Sequence, residues 1–122
     1  MKRLSLILIL LAAACGTGPI AERNPYANHP DAAMAGAKLF QNHCAQCHGT
    51  DANGTRTAPS LRMASVQERS DAALFAFLTN GNIRRGMPSW SRIPDERRWQ
   101  IVAYLRSLDS QGAPSAFLSR LP

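Results

Sequence analysis

Three stretches of this chain place apolar residues on one side of a helical period. Ala33, Gly36, Ala37 and Phe40 recur at i, i+3, i+4 and i+7, the spacing of a single helix face. Pro30 suits the first helical position and Asp31 the first turn, so a helix is expected to open at Pro30. The second stretch has Ser70 as N-cap, Asp71 against the helix dipole and Gly81 as a stop. Its apolar face is Leu74, Phe77 and Leu78. The third opens at Pro94 with Asp95 and Glu96 in its first turn, and Ile101, Tyr104, Leu105 and Leu108 repeat the helical spacing. Trp99 and Val102 widen that surface, while Arg97, Arg98 and Arg106 fall outside it. Gly36 inside a helix costs about 1 kcal/mol relative to Ala, so it predicts close approach of another helix. The intervening segments are rich in Gly, Pro and Ser and read as loops. The expected class is all-α, with three to four helices.

The N-terminal pattern is different. Lys2 and Arg3 precede a mainly apolar run from Leu4 to Leu11, interrupted only by Ser5 and followed by Ala12, Ala13 and Ala14. That is the layout of an export signal, and the run is shorter than the roughly 20 residues needed to span a bilayer. From Gly16 to His29 no period is visible, which predicts a tether. The expected organisation is a signal peptide at 1–14, a flexible tether at 15–29, a domain at 30–108 and a loose tail at 109–122, in which Phe117 and Leu118 are candidates for docking.

Composition narrows the options. The chain has 122 residues, enough for one small domain, and its 45% hydrophobic content is that of a folded chain. Fourteen Lys and Arg stand against eight Asp and Glu. No long basic run or nucleic-acid-binding motif accompanies that charge, so nucleic acid is not the expected partner.

The chemistry concentrates at Cys44-Ala45-Gln46-Cys47-His48. C-x-x-C-H is the form of covalent haem attachment. Two thiols three residues apart each add to one vinyl group of a porphyrin, and the adjacent imidazole reaches its iron. Cys44 and Cys47 continue the face of Phe40 by steps of four and three, so the first helix also delivers the thiols. The competing reading is a structural zinc module built from Cys44, Cys47, His48 and His43 or His29, but the second ligand pair of a zinc finger is missing. Cys15 is left without a disulfide partner. Its place after Leu11-Ala12-Ala13-Ala14 resembles a bacterial lipobox, whose cysteine is lipidated, although Ala12 stands where Leu is usual. Lipidation would hold the protein to a membrane; cleavage without it would leave a soluble periplasmic protein.

Gly36, Phe40, Cys44, Cys47, His48 and the following Gly49 resemble the opening of a class I, mono-haem c-type cytochrome, over roughly Pro30 to Leu108. The resemblance implies the small cytochrome c fold wrapped around one covalent haem c, with Gly36 and Phe40 crossing Tyr104 of the last helix. It implies that Pro59 offers its carbonyl to His48, fixing the imidazole, and that Leu61 packs on the porphyrin. Gly86-Met87-Pro88 is similar to the distal loop of small bacterial members, with Trp90 nearby. Pro88 disfavours helical angles at Met87, Gly86 lets the backbone approach a flat cofactor, and Met87 would ligate the iron opposite His48. Met63 is the second candidate.

Two axial ligands saturate the iron, which suits one-electron transfer rather than catalysis. No catalytic residue set appears, so a carrier is expected rather than an enzyme, working in a bacterial periplasmic respiratory or dehydrogenase-linked chain. Its partners would be redox proteins and, through Cys15, a membrane, with no small-molecule substrate. Arg84, Arg85 and Arg92 flank Met87, while Arg56 and Arg62 flank Pro59; together they would steer an acidic partner. The alternatives are a haem c subunit of an oxidoreductase complex, and an enzyme or gas sensor with an open sixth position.

Overall fold

Pro30 opens the first helix as expected, and the reason is local. His29 has extended angles and its carbonyl accepts from the Ala32 and Ala33 amides at 3.1 Å each, while Pro30, which has no N–H, adds no unpaired donor to the first turn. The computed structural model describes residues 23–112, and for 109–112 the backbone alone. Its elements are α1 (Pro30–His43), α2 (Ala45–His48), α3 (Ala64–Gln67), α4 (Asp71–Asn80), a 3-10 turn at Ile83–Arg85 and α5 (Asp95–Gly112). Two of the five helices are single turns, so the longer elements are the three helices expected. Among the described residues there is no strand, and the only bridge pairs Asn82 with Met87.

The fold is centred on the crossing of α1 with α5. A Cβ on Gly36 would lie 1.9 Å from the Gln100 carbonyl oxygen, so only glycine permits the approach. One turn further on, Phe40 is fully buried and its ring centre lies 5.1 Å from that of Tyr104. α5 is apolar around much of its circumference because α1, α3 and α4 all pack on it. Ile101, Val102, Leu105 and Leu108 are buried there, and Trp99 stacks on Phe75 of α4 at 4.1 Å. The Ser70 hydroxyl caps α4 by accepting from the Ala73 amide at 3.1 Å.

Five expectations are corrected. Phe77 is exposed on α4, and Phe75 takes the inward place. Arg98 does not remain outside: it is buried, because its guanidinium finds three oxygen partners, at Ile93, Thr79 and the exposed Asp95. Arg106 also turns in, with its Nε 2.7 Å from Asp71 Oδ1. The tether ends earlier than 29. Asn24 is 4% exposed; its amide donates to Asp71 Oδ2 at 3.0 Å and its side chain to the Trp99 carbonyl at 2.8 Å. α5 runs on to Gly112, past the expected boundary at Leu108. The signal segment 1–14, Cys15, the remaining tether to 22 and the tail 113–122 with Phe117 and Leu118 lie outside the described residues.

Candidate functional site

The C-x-x-C-H stretch begins where α1 ends. The Cys44 amide closes α1 by donating to the Phe40 carbonyl at 2.8 Å, and the Cys44 carbonyl accepts from Cys47 and His48 at 3.1 and 2.9 Å. That tight turn gathers both thiols and the imidazole at one corner. Cys44 is buried and Cys47 exposed. Burial, and secondarily the neighbouring Cys47, pushes the Cys44 thiol up to about 11, so it is a neutral thiol at neutral pH.

The loop after the motif folds back over it. Thr55 Oγ1 donates to the Cys47 carbonyl at 2.6 Å, and the Gly54 amide donates to the His48 carbonyl at 2.7 Å. Gly54 has φ of 85°, and a Cβ on it would lie 2.7 Å from Pro59 C and 2.5 Å from Ser60 N. This packing delivers the Pro59 carbonyl to His48 Nδ1 at 2.9 Å. A carbonyl only accepts, so Nδ1 carries a proton, and in the neutral ring the lone pair is on Nε2. Nε2 is thereby the ring atom that could bind a metal. Leu61 is half-buried against the core, and its amide donates to the Ala52 carbonyl at 2.9 Å.

Met87 sits in a loop closed on itself. Asn82 and Met87 exchange backbone hydrogen bonds of 2.8 and 3.0 Å. The tip turns at Gly86, whose φ is 83°; the glycine is needed for that left-handed conformation, and a Cβ there would meet no protein atom within 4 Å. Gly81 starts the loop with φ of 68°, and a Cβ there would lie 2.5 Å from the Pro88 backbone. The Trp90 amide and Ser89 hydroxyl then pin the loop to the Leu78 and Thr79 carbonyls at 2.9 and 2.6 Å. Of the three described methionines, only Met87 packs against the core; Met34 and Met63 are exposed.

The arginines divide into two groups. Arg62 is occupied, with Nε on the Asp51 carbonyl at 2.9 Å and Nη1 on the Leu108 carbonyl at 3.0 Å, so it leaves the expected steering group. Arg84, Arg85 and Arg92 are exposed, as are Arg56 and Arg97. Among the described residues no three His, Cys, Asp or Glu side chains converge to hold a metal. The zinc reading is therefore not supported: His43 packs its ring on Trp90 at 5.4 Å instead.

This geometry fits a covalently held haem: a paired-thiol turn, an imidazole with Nε2 available and a thioether on a closed loop. Residues 31–105 match the family described as "Cytochrome C oxidase, cbb3-type, subunit III". The chain belongs to the class I c-type cytochromes. This cytochrome is 34% identical over 74 residues to cytochrome c6 of Bryopsis maxima, covering 57% of this chain and 84% of that protein. It is 36% identical over 90 residues to cytochrome c550 of Pseudomonas aeruginosa, covering 70% of this chain and spanning 62% of that protein's length. In fold it resembles cytochrome cL of Methylophaga aminisulfidivorans, with a TM-score of 0.63 at 23% identity, covering 84% of this chain and 77% of that one. The cytochrome therefore carries one covalent haem c. Gly54, Thr55 and the ties of the Met87 loop were missed from sequence. The glycines were visible, but their partners were not.

Proposed function

We propose that this cytochrome is a one-electron carrier with its haem held by Cys44 and Cys47 and its iron ligated by His48 Nε2 and Met87 Sδ. The observation that carries this is the 2.9 Å bond from His48 Nδ1 to the Pro59 carbonyl, which fixes the tautomer that a ligand through Nε2 requires. The haem supplies an Fe(III)/Fe(II) couple. His48 is held in one orientation, and the backbone-paired Met87 loop limits motion of the thioether, so little needs to rearrange between the two oxidation states. A soft thioether favours Fe(II) and raises the potential. Leu61 and Trp90 contribute an apolar surround, in which the added charge of Fe(III) is costly.

The test is the weak long-wavelength absorption of ferric iron bound to a thioether, measured on the holoprotein. It is expected in the native protein and absent in Met87→Ala. A native protein that lacks it would instead have an open sixth position, or another ligand there.

The N-terminal pattern supports export and lipidation at Cys15, and so a carrier held on the periplasmic side of a bacterial membrane. Cys15→Ser is expected to move the protein from the membrane fraction to the soluble periplasmic fraction. The exposed Arg84, Arg85 and Arg92 beside the Met87 loop suit an acidic redox partner in a respiratory or dehydrogenase-linked chain. That attraction would act mainly on association rate and salt dependence. The family match to an oxidase subunit supports a second reading, in which the same domain works as the haem c subunit of a complex. Copurification of a stable partner from the native host would favour it.

A further inference from the structure

Arg98 is a cation with 5% of its surface exposed, on the first turns of α5. Its Nε donates to the Ile93 carbonyl at 2.9 Å, Nη1 donates to Thr79 Oγ1 and Nη2 to Asp95 Oδ1. The guanidinium also lies 4.6 Å from the centre of the Phe75 ring. Burying a charge is expensive, and an apolar side chain of similar volume would often serve packing as well. Its partners therefore matter. Thr79 stands where α4 hands over to the Met87 loop, and Ile93 stands where that loop ends before α5. One guanidinium thus joins both ends of the loop.

Two further ties lie above this one. Ser89 and Trp90 bond to the Thr79 and Leu78 carbonyls at mid-loop, and Asn82 pairs with Met87 near the tip. The tip and middle ties are local to the loop and α4. Arg98 hydrogen-bonds the loop base to α5, and α5 is packed on α1, which leads into the cysteine motif. A planar fork with several fixed donors reaches separate acceptors at once, which an ammonium does not.

We propose that Arg98 is a positioning residue for Met87: by closing the base of the loop it holds the thioether in register with the α1–α5 pair, whose α1 leads into the cysteines and His48. This rests on the reading of Met87 as an axial ligand. Without the guanidinium the loop opens more readily, and an external ligand competes better for the sixth position.

The test uses the holoprotein, with imidazole as the competing ligand. Arg98→Gln is expected to bind imidazole about tenfold more tightly than the native protein, a change of about 1.4 kcal/mol in loop opening. Arg98→Lys should restore little, because one ammonium cannot serve both ends. Thr79→Val removes one acceptor, leaves Arg98 in place and should shift affinity in the same direction by a smaller factor. It decides the matter if Arg98→Gln does not fold. A purely structural role would lower the melting temperature but leave imidazole affinity and the thioether absorption of the folded variant unchanged, and that result overturns the proposal. Should the native protein lack the thioether absorption, the Met87 reading fails by itself. Amide hydrogen exchange at Asn82, Met87 and Trp90 then separates the two: faster exchange in Thr79→Val supports the clamp, and unchanged exchange removes it.

Discussion

Replacing Gly36 by alanine sets two physical effects against each other with opposite signs. Helix propensity alone predicts stabilisation of about 1 kcal/mol at an interior position. The crossing predicts the reverse. The added Cβ would sit 1.9 Å from the Gln100 carbonyl oxygen and 2.6 Å from its carbon, where ordinary contact begins at 3.4 Å. The obstructing atoms are backbone, so no rotamer change yields, and α1 and α5 must separate locally by roughly 1.5 Å. A gap of that size removes much of the dispersion between facing atoms, and Phe40 against Tyr104 lies one turn away. Overpacking of this kind costs about 3 kcal/mol, which leaves about 2 kcal/mol of net destabilisation after the propensity gain. For a domain of this size that lowers the melting temperature by about 8–16 °C. Thermal unfolding of the holoprotein followed by circular dichroism measures it. A melting temperature equal to or above the native value would refute the argument, because propensity would then outweigh the crossing.

Three further outcomes are expected. Asn24→Ala removes the side-chain donor to the Trp99 carbonyl and the acceptor of the Tyr26 amide and should cost about 1–3 kcal/mol, seen as a lower urea midpoint together with faster proteolysis of residues 23–29; an unchanged midpoint counts against the docked segment. Gly54→Ala should push the Pro59 carbonyl away from His48, weaken electron donation by the imidazole and raise the reduction potential in a spectroelectrochemical titration, whereas a lowered potential would contradict this role. Burial holds the Tyr104 hydroxyl above its ordinary 10.0, with Arg62 opposing and Asp51 adding to the rise; folding then favours the neutral phenol, so its contribution is complete below the ordinary value and is lost as pH rises through the folded one. Tyr104→Phe should flatten the alkaline limb of the stability curve, and a parallel displacement of the whole curve would argue against the titration.

The sequence by itself determined the parts whose cause is local. Helical period, Pro30, Ser70 and Gly81 gave the long helices, because caps and amphipathic spacing act within a few residues. The cysteine motif stood out for the same reason, and Gly36 announced a close crossing because nothing local explains a glycine there. Only the tertiary structure decided which arginine goes inside. Arg98 and Arg97 are neighbours of identical chemistry, and what separates them is the set of oxygens at Thr79, Ile93 and Asp95 that one of them meets. Asn24 looked like linker because its partners are Asp71 and Trp99, 47 and 75 residues away. Phe75 and Phe77 carry equal hydrophobicity, and Trp99 on another helix selects between them. Periodicity sees one element at a time, whereas a buried polar group is settled by whichever distant donor or acceptor the fold brings to it.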